Sequence, residues 1–101
     1  MESSLRSFVD DQGNVVRLTD ERLRHILERH PEVAYCLGRF EETLAQPAAK
    51  RPSRSDPTVV LYYRLVSDRW GRMLYLCLVV KHEPESGFIV TGYLISRVPG
   101  G

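Results

Sequence analysis

The sequence predicts an α+β domain: an N-terminal strand or hairpin and two to three helices packed on one face of a twisted antiparallel sheet. Two observations carry this. Apolar residues in the first half recur at helical spacing, whereas the second half holds three runs rich in β-branched and aromatic residues, "TVVLYYRLV", "MLYLCLVVKH" and "FIVTGYLISR". The segments between those runs, "SDRWGR" and "EPESG", have hairpin length, so the three C-terminal strands should form an antiparallel meander.

Taken in order, Phe8-Val9, "DDQGN" and "VVRL" read as a short hairpin or as a turn into one strand. Thr19 is a suitable N-cap, with Asp20 and Glu21 in the first turn of the helix that it opens. Through "ERLRHILER", Leu23, Ile26 and Leu27 share one face, while Arg22, His25 and Arg29 share a neighbouring one. Pro31 disfavours a helix interior but suits a first turn, so the helix should break at His30 and restart at Pro31-Glu32. Val33, Leu37, Phe40 and Leu44 continue as a helical stripe, with Gly38 a point of bending or division and Pro47 the end. Residues 47 to 57, "PAAKRPSRSDP", read as a basic loop.

At 101 residues, with 43% hydrophobic and 27% charged side chains, the chain suits one domain spanning 1–101, with 1–7 and 98–101 loose. No apolar run approaches the roughly 20 residues of a membrane span. The N-terminal stretch lacks the order of a signal peptide, so no membrane association and a cytoplasmic location are expected. In that setting Cys36 and Cys77 suit small buried hydrophobes better than a disulfide. His25 and His30 lack the spacing that puts two metal ligands on one helix face, so neither a metal nor any other cofactor is expected.

The net charge is only +1, yet of the 14 basic residues all but Lys50 and Lys81 are arginine. Arginine's planar fork suits phosphate; a GC-rich genome or a heat-adapted host would favour arginine equally. Strand alternation allows one sheet face to collect Tyr62, Arg64, Thr91, Tyr93, Arg97 and either Lys81 or His82, a surface suited to a phosphodiester. Packing and solvated strand ends explain each of these residues singly. His25, flanked by Arg22 and Arg29, is the preferred catalytic imidazole. His30 follows, as either a core or a helix-capping residue, and then His82, read as an exposed strand end.

The segments "LRHILERHPE", "TLAQP", "RSDPTVVLYYR", "YLCLVVK" and "FIVTGYLISR", in that order, resemble the phage- and mobile-element-associated nucleases of the barnase–EndoU–colicin–RelE-like group over roughly residues 15 to 97. The resemblance implies a helix-then-sheet fold and a metal-independent endoribonuclease, toxin-like or of phage type. Such an enzyme uses the RNA 2′-hydroxyl as nucleophile and leaves a 2′,3′-cyclic phosphate. Carried over by position, it implies catalytic roles for His25, His30, Arg64, Lys81, Thr91 and Arg97. It places Tyr62 and Tyr93 at the substrate as well, with Glu28 a lesser base and Tyr62 an alternative acid, and Arg22, Arg29 and Arg54 are expected to add substrate contacts. Gly92 stands where a small residue such as alanine is expected. Single-stranded RNA or tRNA is the implied substrate, with Tyr62, Tyr93 or Trp70 stacking on bases, and a cognate antitoxin or immunity protein is a further partner. A non-catalytic RNA- or protein-binding module on the same fold is the alternative. The nuclease reading requires His25, Arg64, Lys81 and Thr91 to converge on one cleft.

Overall fold

A computed structural model describes residues 5–100. Asp10 organises the first turn: its carboxylate accepts hydrogen bonds from the Gln12 and Asn14 backbone N–H groups and the Asn14 side chain, and Gly13 supplies the positive φ of 84°. Strands β1 (Leu5–Val9) and β2 (Val15–Thr19) pair antiparallel across it. Residues 5–7, expected to be loose, are thus ordered by the hairpin, while positions 1–4 and 101 lie outside the described residues.

Thr19 caps helix α1 (Asp20–Arg29) by accepting from Arg22 N–H at 3.1 Å. The break falls at His30, and Pro31 opens a 3-10 helix, Pro31–Arg39, followed by α2 (Phe40–Ala45). The tighter winding changes which residues face inward. With three residues per turn, Cys36 follows Val33 into the core, and the expected Leu37 is only half-buried. Cys36 and Cys77 are both free and buried.

Three long strands follow: β4 (Val59–Ser67), β5 (Met73–Lys81) and β6 (Gly87–Ile95), the expected meander. Two features go beyond it. Ala49–Pro52, read as loop, is an edge strand, β3, whose pairing with β4 owes nothing to its own apolar pattern. The sheet is also mixed rather than antiparallel. Its order is β1-β2-β6-β5-β4-β3, and β2 joins β6 in parallel, in register only at Val16↔Gly87 and Arg17↔Phe88.

The helices cover one face, where Leu23, Ile26, Val33, Phe40 and Leu44 pack on Val16, Leu18, Tyr62, Val66, Leu76, Leu78 and Ile89. Register then divides the side chains expected to share a face. Tyr62 lies opposite Leu78 and Gly92, and Arg64 opposite Leu76 and Leu94, all on the helix side. Tyr63, Cys77 and Tyr93 form a row on the other side, next to Leu61, Val79 and Thr91. A Cβ at Gly92 would sit 2.9 Å from Leu78 Cδ2, so a larger residue there has to displace the end of that side chain. Pro99, in the stretch expected to be loose, lies back on β3, where Arg51 Nε donates to its carbonyl at 3.4 Å. Among the described residues no helix is long and apolar enough to cross a membrane.

Candidate active site

Because β2 pairs with only the first two residues of β6, the rest of that strand's outer edge is left to α1, which packs against it. A bulge opposite Val79/Val80 inserts Val90 into β6 in this stretch. Between the two elements lies a groove of about 740 Å³, with walls formed by Arg22, His25, Ile26, Arg29 and His30 on one side and Val90, Thr91 and Tyr93 on the other. Six of the residues singled out in the sequence therefore meet: Arg22, His25, Arg29, His30, Thr91 and Tyr93.

Helix periodicity aligns the first wall, since Arg22, His25 and Arg29 recur at three and four residues on an exposed face. His25 Nδ1 lies 3.9 Å from a Glu28 carboxylate oxygen, and His30 Nδ1 3.6 Å from one of Glu32. Each imidazole thus has a carboxylate available to orient it. His30 also lies against the Tyr93 ring, with centroids 5.8 Å apart, so it bridges helix and sheet rather than sinking into the core. Burial, and then its hydrogen bond with the Cys77 thiol, pushes the Tyr93 hydroxyl well above its ordinary range, so it stays protonated, with Cys77 and Tyr63 as its partners.

The other expected residues lie elsewhere, and the required convergence of His25, Arg64, Lys81 and Thr91 is met by only two of them. Arg64 is on the helix-covered face, where Nε donates to Glu42 at 2.7 Å and Nη1 to the Gln46 carbonyl at 2.6 Å. Lys81 pairs with Asp56 at 2.8 Å. Arg97 is exposed beyond the end of β6, which closes at Ile95. Arg54 sits in the loop after β3, beside the folded-back tail. Alternation along a strand assigns parity but not partners. Glu42 and Asp56, which neutralise two of these cations, come from segments remote in sequence.

Tyr62 belongs to a second polar cluster that the sequence did not signal. Its hydroxyl donates to Asp10 at 2.7 Å and lies 2.9 Å from His82 Nε2, beside a pocket of about 270 Å³. His82 is therefore a half-buried partner, not an exposed strand end. Burial, then the Asp10 carboxylate, drives the Tyr62 hydroxyl far up and out of reach as a general acid. Burial alone would raise Asp10, but hydrogen bonds from Tyr62, Asn14 and Gln12 outweigh it and hold the carboxyl below its usual range. Both partners are thus locked in their charge states, as a structural link requires. "DDQGN" signalled the turn and nothing in it signalled the link.

Among the described residues no group of three or more His, Cys, Asp and Glu side chains is placed to hold a metal ion. In comparisons with known proteins, no family model, no curated protein and no solved structure matches this chain.

Proposed function

We propose that this chain is an endoribonuclease of the barnase–EndoU–colicin–RelE-like kind and that the groove between α1 and β6 is its active site. The observation that carries the reading is the meeting of Arg22, His25, Arg29, His30, Thr91 and Tyr93 around one groove. That set matches the needs of phosphodiester transesterification. His25, the more exposed imidazole and the one between the arginines, takes the proton of the RNA 2′-hydroxyl. The 2′-oxygen then attacks phosphorus, and the bond to the 5′-oxygen breaks. His30 donates the proton that the leaving oxygen needs. The products are a 2′,3′-cyclic phosphate and a 5′-hydroxyl, with no water consumed.

Arg22 and Arg29 neutralise the additional charge on the pentacoordinate phosphate, and Thr91 donates a hydrogen bond to one of its oxygens, while the Tyr93 ring lies against His30. Roles that the resemblance attached to Arg64, Lys81 and Arg97 thus pass to the helix arginines. The test is incubation with single-stranded RNA in EDTA, followed by analysis of the new ends. Fragments ending in 2′,3′-cyclic phosphate, and no cleavage of DNA of the same sequence, are expected. Salt-sensitive RNA binding without turnover would instead favour a binding module, and new 5′-phosphate ends would refute the chemistry.

A further inference from the structure

Next to the groove lies a feature with different chemistry. In the β4–β5 turn the Arg69 guanidinium carbon stands 4.9 Å from the Trp70 ring centroid and 5.2 Å from that of Tyr35, on the 3-10 helix. These aromatic residues are 77% and 61% exposed, a costly display of apolar surface for a chain with no use for it. The stack borders a pocket of about 500 Å³ whose floor includes Pro31 and Leu94. His30 and Tyr93, the residues immediately before those two, line the catalytic groove. Tyr93 and Leu94 face opposite sides of β6, so the two openings are linked at the His30–Pro31 junction, where α1 gives way to the 3-10 helix.

We infer that this pocket is a stacking subsite for an unpaired nucleobase of single-stranded RNA whose phosphate occupies the groove, an inference that rests on the nuclease reading. Aromatic faces and an arginine plane accept any base by stacking and cation–π contact. The platform is built before ligand arrives, because Asp68 accepts from Trp70 N–H at 2.9 Å and Arg72 N–H at 2.8 Å and so fixes the turn. Of the two carboxylates at the pocket, Asp68 is engaged by Arg72, and Glu32 lies 3.6 Å from His30 Nδ1. Arg69, over the two rings, brings a positive charge to the same corner. A duplex would hide its bases from this surface, which limits the substrate to unpaired segments.

Trp70 is the sole tryptophan, so its fluorescence reads the site directly. The intact protein is titrated with a single-stranded DNA oligonucleotide, which lacks the 2′-hydroxyl and is not cleaved, and with polyphosphate as a base-free polyanion. RNA cleavage by Trp70→Ala and Trp70→Phe is measured in parallel. Quenching by the oligonucleotide but not by polyphosphate is expected. Trp70→Ala should raise KM about 5- to 100-fold with kcat nearly unchanged, and Trp70→Phe should recover most of the loss. Equal quenching by polyphosphate, or cleavage with an unchanged KM in Trp70→Ala, would overturn the subsite and leave the nuclease standing. Base-dependent quenching without RNA cleavage would uphold the subsite and remove the nuclease. Neither quenching nor cleavage would remove both.

Discussion

Individual side chains separate chemistry from architecture here. Arg64 and Arg29 are both arginines that sequence alone makes candidates, yet Arg64 is spent on Glu42 and the Gln46 carbonyl, whereas Arg29 lines the groove. The Arg64–Glu42 pair is about one-third exposed on each side, so solvent screening limits its worth. Arg64→Ala should therefore lower the midpoint of urea melts only slightly. Tyr62→Phe is expected to cost more, about 1–3 kcal/mol, because it leaves the buried Asp10 short of one donor and removes the partner of His82. The same melts check it. A loss under about 0.5 kcal/mol would show that the link contributes little. At the groove, Arg29→Ala should reduce RNA cleavage about 100-fold or more while the circular dichroism spectrum stays that of the parent.

Among the elements, the parallel joint between β2 and β6 matters most, because its brevity leaves the edge of β6 to α1. Gly87 sits at that joint, and a Cβ there would stand 2.9 Å from the Lys81 carbonyl oxygen, a backbone atom that cannot swing aside. Gly87→Ala should therefore destabilise by about 1–3 kcal/mol, read as a lower urea midpoint with the slope unchanged. The helices and the meander were legible in the sequence because they bury a face, and burying a face imposes a period. Thr19 as N-cap, the break at His30 and the three long strands follow from local chemistry alone. The edge strand β3 and the β2–β6 joint are set by their partners, and "AKRP" carries no sign of it. The 3-10 winding was hidden for a related reason. Val33, Leu37, Phe40 and Leu44 fit an α-helical stripe in the sequence, but the tighter turn substitutes Cys36 for Leu37. The helix half of the site was readable because Arg22, His25 and Arg29 share a face. The sheet half was only partly so, since the bulge at Val90 and the pairing of Arg64 and Lys81 depend on the fold as a whole.

For the whole molecule, stability should fall at both ends of the pH scale. Tyr63 is pushed up to about 12 by burial and the nearby Cys77, and Tyr62 and Tyr93 are raised also. A raised group stabilises fully below its unfolded value, and that contribution is lost as pH climbs through its folded value. The loss should therefore begin near pH 10 and deepen toward 12. Asp10, Glu42, Asp56 and Asp68 are held below their ordinary range, so their contribution is complete above the unfolded carboxylate value and disappears as the solution is acidified beneath it. Thermal melts across pH should show both declines, and a melting temperature unchanged between pH 9 and 11 would contradict the buried tyrosines. The most direct test of the central claim compares single-turnover cleavage of an unstructured RNA in EDTA by the parent protein, His25→Ala and Arg64→Ala. His25→Ala should be slower by about 100- to 10,000-fold, and Arg64→Ala should stay within about threefold of the parent. Intact RNA after incubation with the folded parent, or Arg64→Ala as impaired as His25→Ala, would contradict an active site between α1 and β6.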